Sequence, residues 1–209
     1  MKLHVTPPSP RAFKVVVVTH HVGLEPELVF VDLLNGDHMK PEFAALNPNR
    51  KMPVLEDDGF VLWESNAIMQ YLASKKPESG LWPTDPRRQA DVSRWQCWEL
   101  AHWERACGTL VYENFVKERF GRGGPDPQEV ARGEQDFQVV AKILDDHLRG
   151  RDWLVGDGLT LADFSVGSWL TCAQIGHYPL AGYGEIGRWY RGLESLPAWR
   201  KSIVPPPPR

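Results

Sequence analysis

Short apolar runs punctuated by turn residues fill the first third of the chain. Residues 2–5 read as a short strand. Pro7-Pro8-Ser9-Pro10 ends it, and proline is tolerated in a first helical turn, so residues 11–21 are expected to be helical, closing before Gly23. Val15-Val16-Val17-Val18 is β-branched and fits a strand equally well by propensity. Helix is favoured because the run continues from Ala12, Phe13 and Lys14 without alternation. Residues 28–33 form the next expected strand. Residues 54–56 and 60–63 form a hairpin around Asp57-Asp58-Gly59, whose glycine accommodates a positive φ, and residues 64–73 read as a helix. The order is β-α-β, a long loop, then β-β-α, which is an α/β pattern.

Residues 75–86 hold three prolines and a glycine and interrupt this pattern. After them the periodicity is helical throughout. A long helix with breaks is expected at 87–118, a loop at 121–127, and further helices at 128–148, 160–175, 186–193 and 197–203. Thr160-Leu161-Ala162-Asp163 is a capping box, a local signal for a helix start. Residues 205–208 are all proline and read as a solvated tail. The expected domains are 1–76 and 87–204, with a linker at 77–86 and a tail at 205–209.

The chain has 209 residues, 42% hydrophobic and 24% charged, as in ordinary soluble globular proteins. A net charge of −3 gives no electrostatic reason to expect nucleic acid or an anionic membrane. The Val15–Val18 run is far too short to span a bilayer and no signal peptide precedes it, so a cytoplasmic protein is expected. There are three cysteines, Cys97, Cys107 and Cys172, and no CxxC, which argues against a disulfide framework or a zinc site; no metal is expected. All three fall in helical stretches and read as small buried hydrophobes. Eight of the nine tryptophans follow residue 80, so the halves differ in character as well as in period.

Four segments carry candidate chemistry. Pro53 is either an ordinary trans proline at a strand entrance or a cis proline that turns Met52's amide and carbonyl outward, toward a ligand backbone. Glu64-Ser65-Asn66 starts a helix. Its amides and the Ser65 hydroxyl suit a carboxylate and Glu64 suits an ammonium group, although a plain capped helix start has the same appearance. His38, Lys40 and Lys51 are placed to hold a second carboxylate, or are scattered loop charges. Ser9 sits between strand and helix, where the helix dipole favours negative charge, or is simply an N-cap.

Taken together these segments, in this order, resemble the soluble, cytosolic-type glutathione S-transferase family, bacterial-like, with serine at the activating position. The matching stretches are Ser9-Pro10-Arg11-Ala12-Phe13-Lys14-Val15, Pro41-Glu42-Phe43 leading to Leu46-Asn47-Pro48, Lys51-Met52-Pro53-Val54-Leu55, Glu64-Ser65-Asn66-Ala67-Ile68, Tyr71-Leu72 and Leu161-Ala162-Asp163-Phe164-Ser165. The resemblance implies a thioredoxin-like first domain and an all-helical second domain. It implies that Pro53 is cis, that Met52 pairs the cysteinyl backbone of glutathione, and that Glu64 and Ser65 hold the γ-glutamyl head. His38 and Lys51 would lie near the glycyl end, and Ser9 would donate to the thiol sulfur; Arg11, a further candidate glutathione contact, either enters the site or faces solvent. His4 stands where many relatives carry an aromatic such as tyrosine. Reductase members often carry cysteine at the Ser9 position, so mixed-disulfide chemistry through that residue is excluded.

The resemblance further implies a homodimer and an apolar electrophile held between the domains against the first long helix. Trp98, His102 and Trp103 are the candidate contacts, from a set that also includes Trp95, Glu99 and Arg105. An aromatic stripe at helical spacing is more often core than pocket. Glu99 or Glu104 would complete a partner's site. The expected activity is glutathione conjugation in detoxification, with glutathione peroxidase or disulfide-reductase activity alongside it. The alternatives are a non-catalytic glutathione-binding module of the same fold, or a specialised glutathione-dependent isomerase or dehalogenase.

Overall fold

The computed structural model describes residues 1–203, and the expected polyproline tail lies outside them. The chain divides into two compact units, one of Met1–Trp82 together with the described residues from Leu196 onward, the other Pro83–Ser195.

The first unit is a four-stranded mixed sheet with helices. Strand β1 (Lys2–Val5) is followed by α1 (Pro10–His21), β2 (Glu27–Phe30), α2 (Pro41–Leu46), β3 (Val54–Asp57), β4 (Phe60–Trp63) and α3 (Ser65–Ser74). The strand order is β2-β1-β3-β4. β1 and β2 run parallel, with α1 as their crossover, and the β1–β3 and β3–β4 pairs are antiparallel. The β-branched run of α1 is helical because that helix is covered on several sides: Val15, Val16, Val17 and Val18 are all buried, and α1 packs on both α3 and α11 (Pro197–Ser202). A helix apolar all round belongs in a core, and tertiary packing there overrides β propensity. The hairpin turn has two left-handed residues, Asp58 at φ 49° and Gly59 at φ 82°, as a two-residue type I′ connection requires.

Two expectations change here. β2 ends at Phe30 rather than at residue 33, because the Asp32 carboxylate accepts the amides of Leu34 (2.8 Å) and Asn35 (3.2 Å) and turns the chain. The expected long loop contains α2, started by Pro41 and docked through the buried Phe43. The last helix, α11, falls in the first unit, although it follows the helical half in sequence: Trp199 meets Phe13 edge-on at 4.8 Å and His20 Nδ1 lies 2.7 Å from Ser202 Oγ.

The second unit is helical. Residues 86–119 form one continuous helical stretch, α4 (Pro86–Trp98), α5 (Glu104–Val111) and α6 (Lys117–Arg119), joined by π-helical segments at Glu99–Trp103 and Tyr112–Val116. The expected breaks are thus changes of pitch. Then come α7 (Pro127–Leu148), α8 (Leu161–Gly167), α9 (Ala173–Gly176) and α10 (Gly184–Ser195). α4 and α7 start alike, with proline at the first position and an aspartate cap before it: Asp85 accepts the Arg88 amide and Asp126 the Gln128 amide, each at 2.9 Å. The Thr160–Asp163 capping box forms. Asp163 is fully buried and accepts from the amides of Thr160 and Leu154, the Thr160 hydroxyl and the Trp189 indole. One carboxylate therefore ties α8, α10 and the 154 loop together. No helix among the described residues is long and apolar enough to cross a membrane.

Candidate functional site

Strand register decides which segments meet. Val5 pairs with Phe30, His4 with Val54, and Val54 with Trp63. The C-terminal ends of β1, β2 and β4 and the N-terminal end of β3 therefore lie at one end of the sheet. β1 leads from there to Ser9, β2 leads to the loop carrying His38, Met52-Pro53 enters β3, and β4 leaves into Glu64-Ser65. Four segments scattered over 60 residues of sequence converge through ladder geometry alone.

Ser9 is the N-cap of α1, at the end of a turn closed by its amide to the Thr6 carbonyl (3.0 Å). Its Oγ accepts the Ala12 amide at 3.3 Å. A hydroxyl that accepts there keeps its single proton for a further acceptor. Arg11, half-buried, is in the first turn of α1.

The Met52–Pro53 peptide is cis, as is Pro7–Pro8, which the sequence analysis does not anticipate. The β1–β3 ladder ends at Val54, so Met52 lies outside the strand pairing. Its side chain packs against a small apolar cluster of Val31, Phe43 and Val54. The approach is shaped by Asn47, which sequence reasoning passes over. Asn47 is buried, its Nδ2 donates to the Lys51 carbonyl at 2.7 Å, and its Oδ1 accepts the Asn49 amide at 3.0 Å. Arg50 takes a left-handed φ of 55° within this turn. The signal for Asn47 was an Asn-Pro-Asn turn. Lys51 itself is exposed.

Glu64 is exposed and has φ 74° and ψ 112°, unusual for a residue with a Cβ. Such backbone costs about 1–3 kcal/mol and concentrates where geometry serves function. It makes no side-chain cap, so α3 opens with the buried Ser65 and with amides that Glu64's side chain does not satisfy. α3 is anchored at its other end by the buried Asp57, which accepts the Tyr71 hydroxyl at 2.8 Å and pairs with Lys75. The Lys75 ammonium, with Tyr71, holds the Asp57 carboxyl below the usual range.

His38 sits in a 3-10 turn (Asp37–Met39), half-buried, and its Nδ1 is buried without a hydrogen-bond partner among the described residues. Lys40 is already paired with Asp37 at 2.6 Å, so it is not a free cation for a ligand carboxylate.

In the helical unit the expected aromatic wall divides. Trp103 is 0% exposed, donates from its indole to the Val166 carbonyl at 3.0 Å, and packs on Phe137 at 5.1 Å. It is a core residue and does not line a ligand pocket. Trp95 is buried against Trp98 and His147, while His102 and Arg105 are exposed. The π segment at Glu99–Trp103 resets the register, so these residues do not share one face. Trp98 is half-buried. Glu99 is 0% exposed and accepts the Trp169 indole at 2.7 Å, which rules it out as an acid reaching a partner. Cys107 and Cys172 are buried, and burial pushes both thiols up, whereas Cys97 is exposed, against expectation. Among the described residues no group of three or more His, Cys, Asp or Glu is placed to hold a metal ion.

Known proteins share this architecture. Residues 1–74 match the family described as "Glutathione S-transferase, N-terminal domain", and residues 111–197 match "Glutathione S-transferase, C-terminal domain". Glutathione S-transferase 3 of Zea mays is 32% identical over 221 aligned positions, covering 100% of this chain and 97% of the maize protein. The crystal structure of glutathione transferase F7 from Populus trichocarpa superposes with a TM-score of 0.87 at 28% identity, covering 96% of each chain. A structure of glutathione S-transferase I bound with lactoylglutathione gives a TM-score of 0.86 at 25% identity, covering 96% of this chain and 97% of that one.

Proposed function

The chain belongs to the glutathione S-transferase family, and from that premise we propose that Ser9 activates the glutathione thiol for attack on an apolar electrophile. Glutathione is the co-substrate of the enzyme. The observation that carries the proposal is the convergence of Ser9, the His38 loop, Met52 and Ser65 at one end of the sheet. Four strand ends span about 14 Å there, and an extended tripeptide is about 10 Å long, so protein side chains reaching inward by about 2 Å from each edge close the difference.

In this reading the γ-glutamyl carboxylate sits on the α3 amides and the Ser65 hydroxyl, and Glu64 receives the ammonium group. Met52 pairs with the cysteinyl backbone by strand addition. Lys51, Arg11 and His38 lie toward the glycyl carboxylate. The thiol then lies toward Ser9. The Ser9 hydroxyl donates to the sulfur, and a hydrogen bond to a charged group is worth about 1.5–3 kcal/mol, or about one to two units of thiol pKa. The thiolate attacks the electrophilic carbon, a C–S bond forms, and the leaving group departs with its electron pair. Serine in place of cysteine favours conjugation over mixed-disulfide reduction; peroxidase turnover stays a secondary activity in this proposal.

We also propose a homodimer. Its support is exposed apolar surface on each unit: Phe60, Val61 and Trp63 on β4, and Leu100 on the long helical stretch.

Ser9→Ala tests the assignment. With glutathione and 1-chloro-2,4-dinitrobenzene, kcat/KM is expected to fall about 10–100-fold, with the bound-thiol pKa, read from thiolate absorbance, rising by about one to two units. Unchanged activity would show that another group activates the thiol.

A further inference from the structure

We propose that His4 is a positioning residue for glutathione, acting through Phe43 on Met52. The inference rests on the reading of Met52 as the contact for the glutathione backbone.

His4 lies in the middle of the site-forming strand, yet its imidazole is not open to a ligand. Its side chain is 11% exposed and Nε2 lies 2.7 Å from Glu56 Oε1. The register explains the pairing. Lys2 faces Glu56 and His4 faces Val54, so Glu56 is the diagonal neighbour of His4 on the same face of the sheet, within reach of a long side chain. Held this way, the imidazole meets Phe43 edge-on, with ring centroids 5.9 Å apart at 71°.

Phe43 is the buried residue of α2. A helix of six residues has no stability of its own, so its placement depends on packing. Phe43, Val31 and Val54 form one buried cluster, and Leu46 and Met52 pack against it. The line of support therefore runs from Glu56 to His4, from His4 to Phe43, and from the Phe43 cluster to Met52. Removing the ring opens space under Phe43 and releases the segment that holds Met52 in place. Misplacing a binding group by a fraction of an ångström weakens binding without altering the reacting atoms.

The test is conjugation of glutathione with 1-chloro-2,4-dinitrobenzene by the full-length enzyme, with glutathione affinity from calorimetry alongside. His4→Leu keeps apolar volume but removes the ring and the pairing. It is expected to raise the glutathione KM and Kd about 5–20-fold, with kcat and the KM for the electrophile within about twofold of the parent. His4→Phe retains a ring against Phe43 and is expected to restore most of the affinity. Glu56→Ala leaves the ring untethered and should lie between the two; it also serves if His4→Leu does not fold. A glutathione KM within about twofold of the parent in both His4→Leu and Glu56→Ala overturns the proposal, and so does a fall confined to kcat. Ser65→Ala separates the two levels of reasoning. If it raises the glutathione KM while the His4 variants do not, only the role of His4 fails. If it too leaves the KM unchanged, the placement of glutathione fails, and the role of His4 with it.

Discussion

Asp163 offers the sharpest quantitative check on how the helical unit is held together. Its Oδ1 accepts the Leu154 amide (2.9 Å) and the Trp189 indole (3.0 Å), and its Oδ2 accepts the Thr160 amide (2.9 Å) and hydroxyl (3.1 Å). Burial pushes the carboxyl up to about 6 against the pull of these donors, so at pH 7.5 it is ionised. Asp163→Asn keeps the shape but has one acceptor oxygen. Directed at Leu154 and Trp189, that oxygen leaves the amide NH2 facing the Thr160 N–H, one buried donor without a partner, at about 1–3 kcal/mol. The remaining bonds lose their charge assistance, so the expected loss is about 3 kcal/mol in all. Asp163→Ala abandons three N–H donors and opens a small void, for about 5 kcal/mol. Against a typical stability of about 5–15 kcal/mol, the alanine variant should be barely folded and the asparagine variant measurable. Urea unfolding at pH 7.5, followed by circular dichroism and tryptophan fluorescence, gives both values. A loss below about 1 kcal/mol in Asp163→Ala would refute the assignment of this carboxylate as the organiser of α8, α10 and the 154 loop.

Glu64→Gly should relax the φ 74° backbone and raise thermal stability by up to about 1 kcal/mol while weakening glutathione binding, a split that melting curves and calorimetry detect together. Asp57→Asn should cost about 2 kcal/mol at pH 7, because the carboxylate accepts the Tyr71 hydroxyl and pairs with Lys75. The folded-state pKa of Asp57 is depressed, so its contribution is full above the unfolded value of about 4 and is lost as pH falls through the folded value. The gap between the urea midpoints of parent and variant should therefore narrow as pH falls below the unfolded value. A gap that does not narrow with falling pH would mean the carboxylate charge is not what anchors α3.

What the amino-acid sequence determined by itself was local. The Asp58-Gly59 turn, the proline-started helices with their aspartate caps, the Thr160–Asp163 box and the switch from mixed to helical period each depend on neighbours within about four residues, and hydrogen bonding at that range is written in residue type. The order of the candidate segments was legible for the same reason, since each sits at the end of a strand or the start of a helix. Tertiary structure alone decided which side chains the fold buries. Trp98 and Trp103 look alike in sequence, yet Trp103 is sealed against Phe137 while Trp98 is half-buried, because a π segment intervenes and distant α7 and α8 supply the partners. His4 reads as a strand residue until Glu56 pairs with its imidazole from across the sheet. Only the strand register brings Ser9, His38, Met52 and Ser65 to one end of the sheet. Partners tens of residues apart leave no local mark, and burial, which sets the energy of each contact, exists only once those partners have met.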